Sequence, residues 1–283
     1  KICEVQYEGL KCIIPGEYGK IHTKNSRFKY SYNNLIFIQN KHLPFLDLTS
    51  HMGGLNISLN MIGSTSKFDE YLCRQAIQKW SSIIKTVHNI NITIEFKTLG
   101  NNILGSAGPT NFKNINGKWY ATEGIVILNS LYWDEEKTKL KYNHKTSAYY
   151  TLLHELGHVL GIGTLWLDFE LLSNGPYYTD NEYWNSDYTN ALYVGENGLR
   201  EYKRYIINNT NIPEDKILGI PVEEDGGSGT KGGHIEEGDN NHGHRFFHGI
   251  KHEGLDHELM TGYSENSFVP EPLSRITVGM IND

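Results

Sequence analysis

The chain has 283 residues, 21% charged and 38% hydrophobic, with a formal charge of −7. That balance excludes wholesale disorder and an isolated coiled coil. It also sets the chain against nucleic-acid binding, which needs clustered Lys and Arg. No apolar run approaches the ~18–20 residues of a membrane-spanning helix, and three cysteines are too few for a disulfide-built scaffold.

Residues 1–53 mix charged, aromatic and Gly/Pro positions with weak periodicity and read as an irregular N-terminal extension, a pro-segment or accessory strands, with one strand at 35–38. Cys3 and Cys12 are close enough in sequence to pair in an oxidising compartment, while Cys73 reads as a small buried hydrophobe. The chain begins at Lys1, we expect no signal peptide in it, and it has Asn-X-Ser/Thr triplets at Asn56, Asn91 and Asn208. We expect a secreted, extracellular or surface-associated monomer.

Residues 55–62 alternate apolar and polar, as a half-buried strand does. Ser66 can cap a helix reaching about Val87, with Phe68, Leu72, Ala76 and Trp80 on its apolar face. Residues 91–96 alternate again. Residues 105–109 are small and read as flexible, and 125–128 form a short apolar run that fits a buried strand. A helix follows from about Thr146 to Leu160, ended by Gly161 and Gly163. This β-α-β-β-β-α order predicts a mixed α/β layer architecture. Beyond 165 the signals thin out: a helix within 191–208, a long Gly- and His-rich loop over 224–254, and a final helix over 273–281.

The chemistry lies in His154-Glu155-Leu156-Gly157-His158. Histidines at i and i+4 share one helix face, so both imidazoles can bind one ion. Glu155 sits beside that ion rather than on it, where a carboxylate can take a proton from an activated water. The flanking turns are apolar, and burying two histidines and a glutamate without partners costs several kcal/mol. Zinc needs a third ligand and, for catalysis, an open fourth position. The compact spacing would put that ligand at Thr164, a poor one, so it must come from further on. The candidates are His234, His242, His244, His248, His252 and His257, or a glutamate such as Glu170 or Glu182.

Several strings carry a resemblance. Residues 154–166, the Glu258-Leu259-Met260-Thr261-Gly262 string, residues 272–277 and the 103–109 segment together resemble the leishmanolysin-like branch of the metzincin zinc endopeptidases, in particular its bacterial and viral-type members. The resemblance covers about residues 54–281. It implies an α/β (α+β) zincin or metzincin-like fold: a twisted mixed sheet with two long helices at 54–163, a loop-rich C-terminal part at 164–283, and a cleft between them. It implies His234 as third ligand of one catalytic Zn2+, because Gly232-Gly233-His234-Ile235-Glu236 fits the family's Gly-rich approach and following acidic residue. His257 and His252 remain alternates, since the family usually has an aromatic where Ile235 stands. The resemblance further implies Met260 in a methionine turn and Gly105, Ser106 and Ala107 on the strand that binds substrate. Tyr263 lies three residues past Met260, where it reads as packing or a substrate contact rather than a ligand.

The expected activity is hydrolysis of peptide bonds in a protein or peptide substrate, with Glu155 as general base. The competing expectation is a catalytically silent, metal-stabilised binding module on the same scaffold. Two further ideas are a Cys3 or Cys12 thiolate that holds the zinc latent and a second, weaker metal site in the histidine-rich loop over 242–257.

Overall fold

The computed structural model describes residues 55–63, 66–84, 88–141, 145–173, 191–224, 226–227, 229–237, 254–265 and 271–283, and five further strands by their backbone pairing alone. Three of those strands are β1 (Ile2–Tyr7), β2 (Leu10–Pro15) and β3 (Ile36–Ile38), an antiparallel sheet ordered β1-β2-β3. The expected strand at 35–38 is therefore present, but the irregular reading of the rest is corrected. Adjacent apolar residues, Ile2-Cys3 in β1 and Cys12-Ile13-Ile14 in β2, break the alternation that marks a strand. The usable signal was the two-residue Glu8-Gly9 connection between them, a hairpin pattern. Cys12 stands opposite Val5 and Cys3 opposite Ile14, so the two cysteines are not cross-strand partners.

The central sheet has the order β4-β5-β7-β6. β4 (Leu55–Ile62), β5 (His88–Lys97) and β7 (Lys118–Asn129) run parallel, and β6 (Gly105–Ile115) lies antiparallel to β7 at the edge. The alternating sequence of β5 matches alternating burial. Residues 105–109, small enough to read as flexible, open β6, so Gly105, Ser106 and Ala107 do lie on an edge strand, and the small residues let it approach a helix. The short run at 125–128 is the end of a twelve-residue strand.

Helix α1 (Lys67–Ile83) crosses between β4 and β5. Ser66 caps it, accepting the Asp69 N–H at 3.3 Å. It ends a turn earlier than the apolar spacing predicts: Ile84 is already extended, at φ −83° and ψ 115°. The β-branched pair Ile83-Ile84 suits a strand approach as well as a helix face. After a one-turn helix α2 (Trp133–Glu136), helix α3 (Ser147–Val159) starts where the sequence places it and is capped by Thr146, whose hydroxyl accepts the Tyr149 N–H.

Nearly every α3 side chain is buried. Trp80 of α1 donates its indole N–H to the Leu153 carbonyl at 2.9 Å, and Val159 packs on Gly124 of β7. The helix thus lies inside the core with its polar residues, which makes those residues costly unless they have partners.

The remainder holds a sheet of two-residue strands ordered β10-β9-β8, from β8 (Leu172–Ser173), β9 (Leu192–Tyr193) and β10 (Ile220–Pro221). Helices α4 (Glu196–Asn209) and α5 (Arg275–Asn282) match the two expected there. The Asp283 carboxylate joins them, accepting from the backbone of Asn197 and Gly198 at 2.7 and 2.8 Å. The loop expected over 224–254 contains a hairpin, β11 (His244–Phe247) with β12 (Ile250–Glu253). Its four-residue strands fell below the length at which alternation is visible. The molecule is mixed α/β, of the α+β kind. Among the described residues no helix is long and apolar enough to cross a membrane.

Candidate metal centre

Helix α3 brings His154 and His158 to one face. Its end is then folded back sharply. Gly161 has φ +111° and Gly163 φ +74°, and a Cβ on Gly163 would run into the Gly233 backbone. That near-contact carries the chain past the loop that holds His234. Thr164, at the compact-spacing position, is a cap instead: its hydroxyl donates to the His158 carbonyl at 2.7 Å.

Single backbone bonds hold the third histidine. Its carbonyl accepts from Glu223 N–H at 3.0 Å, and the next residue, Ile235, donates its N–H to the Met260 carbonyl at 3.0 Å. Ile235 also bridges to Val222 and Thr261. His234 and the turn that holds Met260 are therefore laid side by side.

The three Nε2 atoms form a triangle. His154 and His158 are 3.0 Å apart, and each lies 3.1 Å from His234. The Nδ1 atoms contact the carbonyls of Leu259 at 2.7 Å, Ile162 at 2.8 Å and Thr230 at 2.8 Å. A carbonyl only accepts, so each Nδ1 carries the proton and each Nε2 carries a lone pair. Three lone pairs pointing at one another repel. Burial holds all three imidazoles neutral: His154 is lowered, His158 is lowered well below its ordinary value with the neighbouring histidines adding to the effect, and His234 falls to about 3. Neutral nitrogens converging on one point fit a cation. Around tetrahedral zinc with bonds of ~2.0–2.1 Å, three nitrogens would stand roughly 3.3–3.4 Å apart. The observed spacing is a few tenths of an ångström tighter. Among the described residues no fourth His, Cys or carboxylate joins this cluster.

Glu155 is 5% exposed, and its Oε2 has no hydrogen-bond partner among the described residues. Burial pushes its carboxyl up to about 8. A dication alongside would pull it back towards the ionised form. The carboxylate rests on the start of β6, where a Cβ on Gly105 would stand 2.7 Å from Glu155 Cδ. Gly105, Ser106 and Ala107 are paired with Leu128, Ile127 and Val126 on one side only. Register shifts between Pro109 and Phe112 end the regular stretch.

Met260 is fully buried, and a Cβ on Gly157 would come within 2.6 Å of its Sδ. The thioether fits where the helix between the two histidines has no side chain. It supports the site by packing.

The other candidates separate cleanly. His257 is exposed and engaged by Glu265 at 2.8 Å and Asp256 at 3.5 Å. Glu170 is exposed, with φ +55°. Tyr263 is 53% exposed, and its N–H donates to Glu237 at 3.0 Å. Glu182, His242 and His248 lie outside the described residues. His244 and His252 lie on strands described by backbone alone. Sequence reasoning missed the roles of Thr164, of the Leu259 and Thr230 carbonyls, and of Glu258. No pattern signals a backbone carbonyl as a partner, but Glu258 stood inside the recognised string. A cavity of about 520 Å³ opens elsewhere, bordered by Leu55, Ile84, Leu160, Trp166 and Ile281, and none of the three histidines lines it. No protein-family model matches the chain, and no curated protein matches it significantly.

Proposed function

We propose that the chain is a zinc-dependent endopeptidase of the leishmanolysin-like metzincin kind. The observation that carries this reading is the triangle of three Nε2 lone pairs, each fixed by its own backbone carbonyl, beside an unpartnered buried carboxylate. His154, His158 and His234 would hold the ion. Zinc bound there supplies a Lewis acid that activates water and polarises a carbonyl.

The protein's own groups do the rest. Glu155 Oε2 accepts the proton of the attacking water and returns it to the leaving amine. Burial raises the proton affinity of Glu155, and a dication alongside would lower it again towards the ionised form that accepts the proton. The open side of β6 at Gly105, Ser106 and Ala107 offers backbone groups to an extended peptide, which can add as a further strand. Gly105 lets the Glu155 carboxyl rest against the strand that would receive the peptide, where a Cβ would collide with it. Pro109, lacking an N–H, limits the run of contacts to a few residues. A purely structural zinc would be closed by four protein ligands, and the absence of a fourth among the described residues favours catalysis over a silent binding module.

The test is Glu155→Ala. It should keep one zinc per chain and its fold while cleavage of a casein-type substrate falls by about 10²–10⁴-fold. Wild-type cleavage by that variant would refute the mechanism. His158→Ala should lose the zinc itself, and a variant with full metal content would refute the ligand set.

A further inference from the structure

The methionine turn is tied to a buried carboxylate that the peptidase mechanism leaves unused. Glu258 is 5% exposed. Its Oε2 accepts the Met260 N–H at 2.5 Å, and its Oε1 accepts the Ser274 N–H at 3.0 Å and the Thr277 hydroxyl. The bond to Met260 has the longest reach. The Met260 N–H and the Leu259 carbonyl belong to one planar peptide unit. The carbonyl end of that unit accepts the Nδ1–H of His154 at 2.7 Å. A negative charge at the N–H end polarises the unit and strengthens the carbonyl as an acceptor. A stronger acceptor fixes the imidazole and raises the basicity of its Nε2.

We propose that Glu258 is a positioning residue for the metal centre, acting on His154 through the Leu259–Met260 peptide. The proposal rests on the zinc reading above. It places one peptide group inside the carboxylate–histidine pairing common around metal ligands. The other two donors explain how the carboxylate is held. Ser274 caps α5, accepting the N–H groups of Ile276 and Thr277, so Glu258 faces the positive end of that helix. Leu259 N–H bonds the Pro272 carbonyl at 3.1 Å and fixes the same turn from its other side. The last helix of the chain is thereby coupled to the first zinc ligand.

A carboxylate that merely pinned the turn would act on fold stability alone. Zinc affinity of the full chain, measured by competition with a chromophoric chelator, separates the two roles, with thermal unfolding of the zinc-free protein read alongside. Glu258→Gln keeps the size and an accepting oxygen but removes the charge. Thr277→Val removes one bond to the carboxylate and spares the bond from Met260. We expect Glu258→Gln to raise the zinc Kd about tenfold and Thr277→Val to raise it less than about twofold. Thr277→Val should nonetheless lower the melting temperature of the zinc-free protein at least as much. An unchanged Kd for Glu258→Gln, or a rise no larger than that of Thr277→Val, overturns the proposal. If Glu258→Gln does not fold, Glu258→Asp withdraws the carboxylate by one methylene and should weaken zinc several-fold; a wild-type Kd there overturns it equally. A wild-type chain that binds no zinc overturns the metal-centre reading and this proposal together.

Discussion

Two regions meet at the triangle of histidines, and they are built differently. The region around α3 is regular: its two histidines are fixed by helix geometry, and the helix is clamped between a sheet and α1. The region at 222–237 and 254–265 contains no long element. His234 is held there by the Glu223 and Met260 bonds, the Thr230 carbonyl and two isolated bridges. The second is held by single bonds between loops rather than by a regular element, so on the proposed zinc reading an ion would add for it what helix and sheet packing give the first.

Chelation probes that difference with the largest expected effect. With zinc 1,000-fold above its Kd, removal of the metal should cost about 4 kcal/mol of stability. Amide hydrogen exchange should rise first in 222–237 and 254–265, while α3 and β5 stay protected. Equal loss of protection in both regions would erase the distinction.

Gly157→Ala tests the contact between the regions. The added Cβ meets the Met260 Sδ, so overpacking should cost about 1–3 kcal/mol by denaturant unfolding, against the small gain an alanine brings to a helix. A stabilised variant would mean that the thioether is not seated against the helix.

The smallest effect belongs to His257, a sequence alternate for the third ligand. Its bond to Glu265 raises its pKa above 6.5. A raised histidine stabilises the fold below about pH 6.5, and that contribution fades as pH climbs through the folded value. His257→Gln should therefore cost a few tenths of a kcal/mol near pH 6 and nothing near pH 8.5, since the pair is exposed. An NMR titration of His257 should be indifferent to zinc. A zinc-dependent titration would put His257 rather than His234 beside the metal.

The same contrast explains what the sequence disclosed. His154, Glu155 and His158 were legible because a helix converts spacing into geometry. The order of strands and helices along 55–160 was legible in outline because the strands β4 and β5 alternate, but their order in the sheet was not. His234 could be named only through a resemblance, since 76 positions separate it from His158 and no periodicity spans them. The role of Thr164 as a cap, the carbonyls behind each imidazole and the reach of Glu258 were not legible. They depend on contacts across the chain that residue type alone does not encode. Strands β1, β2 and β11 were missed because adjacent apolar residues such as Ile13-Ile14 and Phe246-Phe247 break their alternation, and β12 has a single apolar residue.

Diffraction from zinc-loaded crystals, recorded at the zinc absorption edge, would locate the metal itself. One anomalous peak is expected about 2.0–2.1 Å from the Nε2 atoms of His154, His158 and His234. No peak there, or a peak on His257 in its place, would contradict the proposed zinc centre.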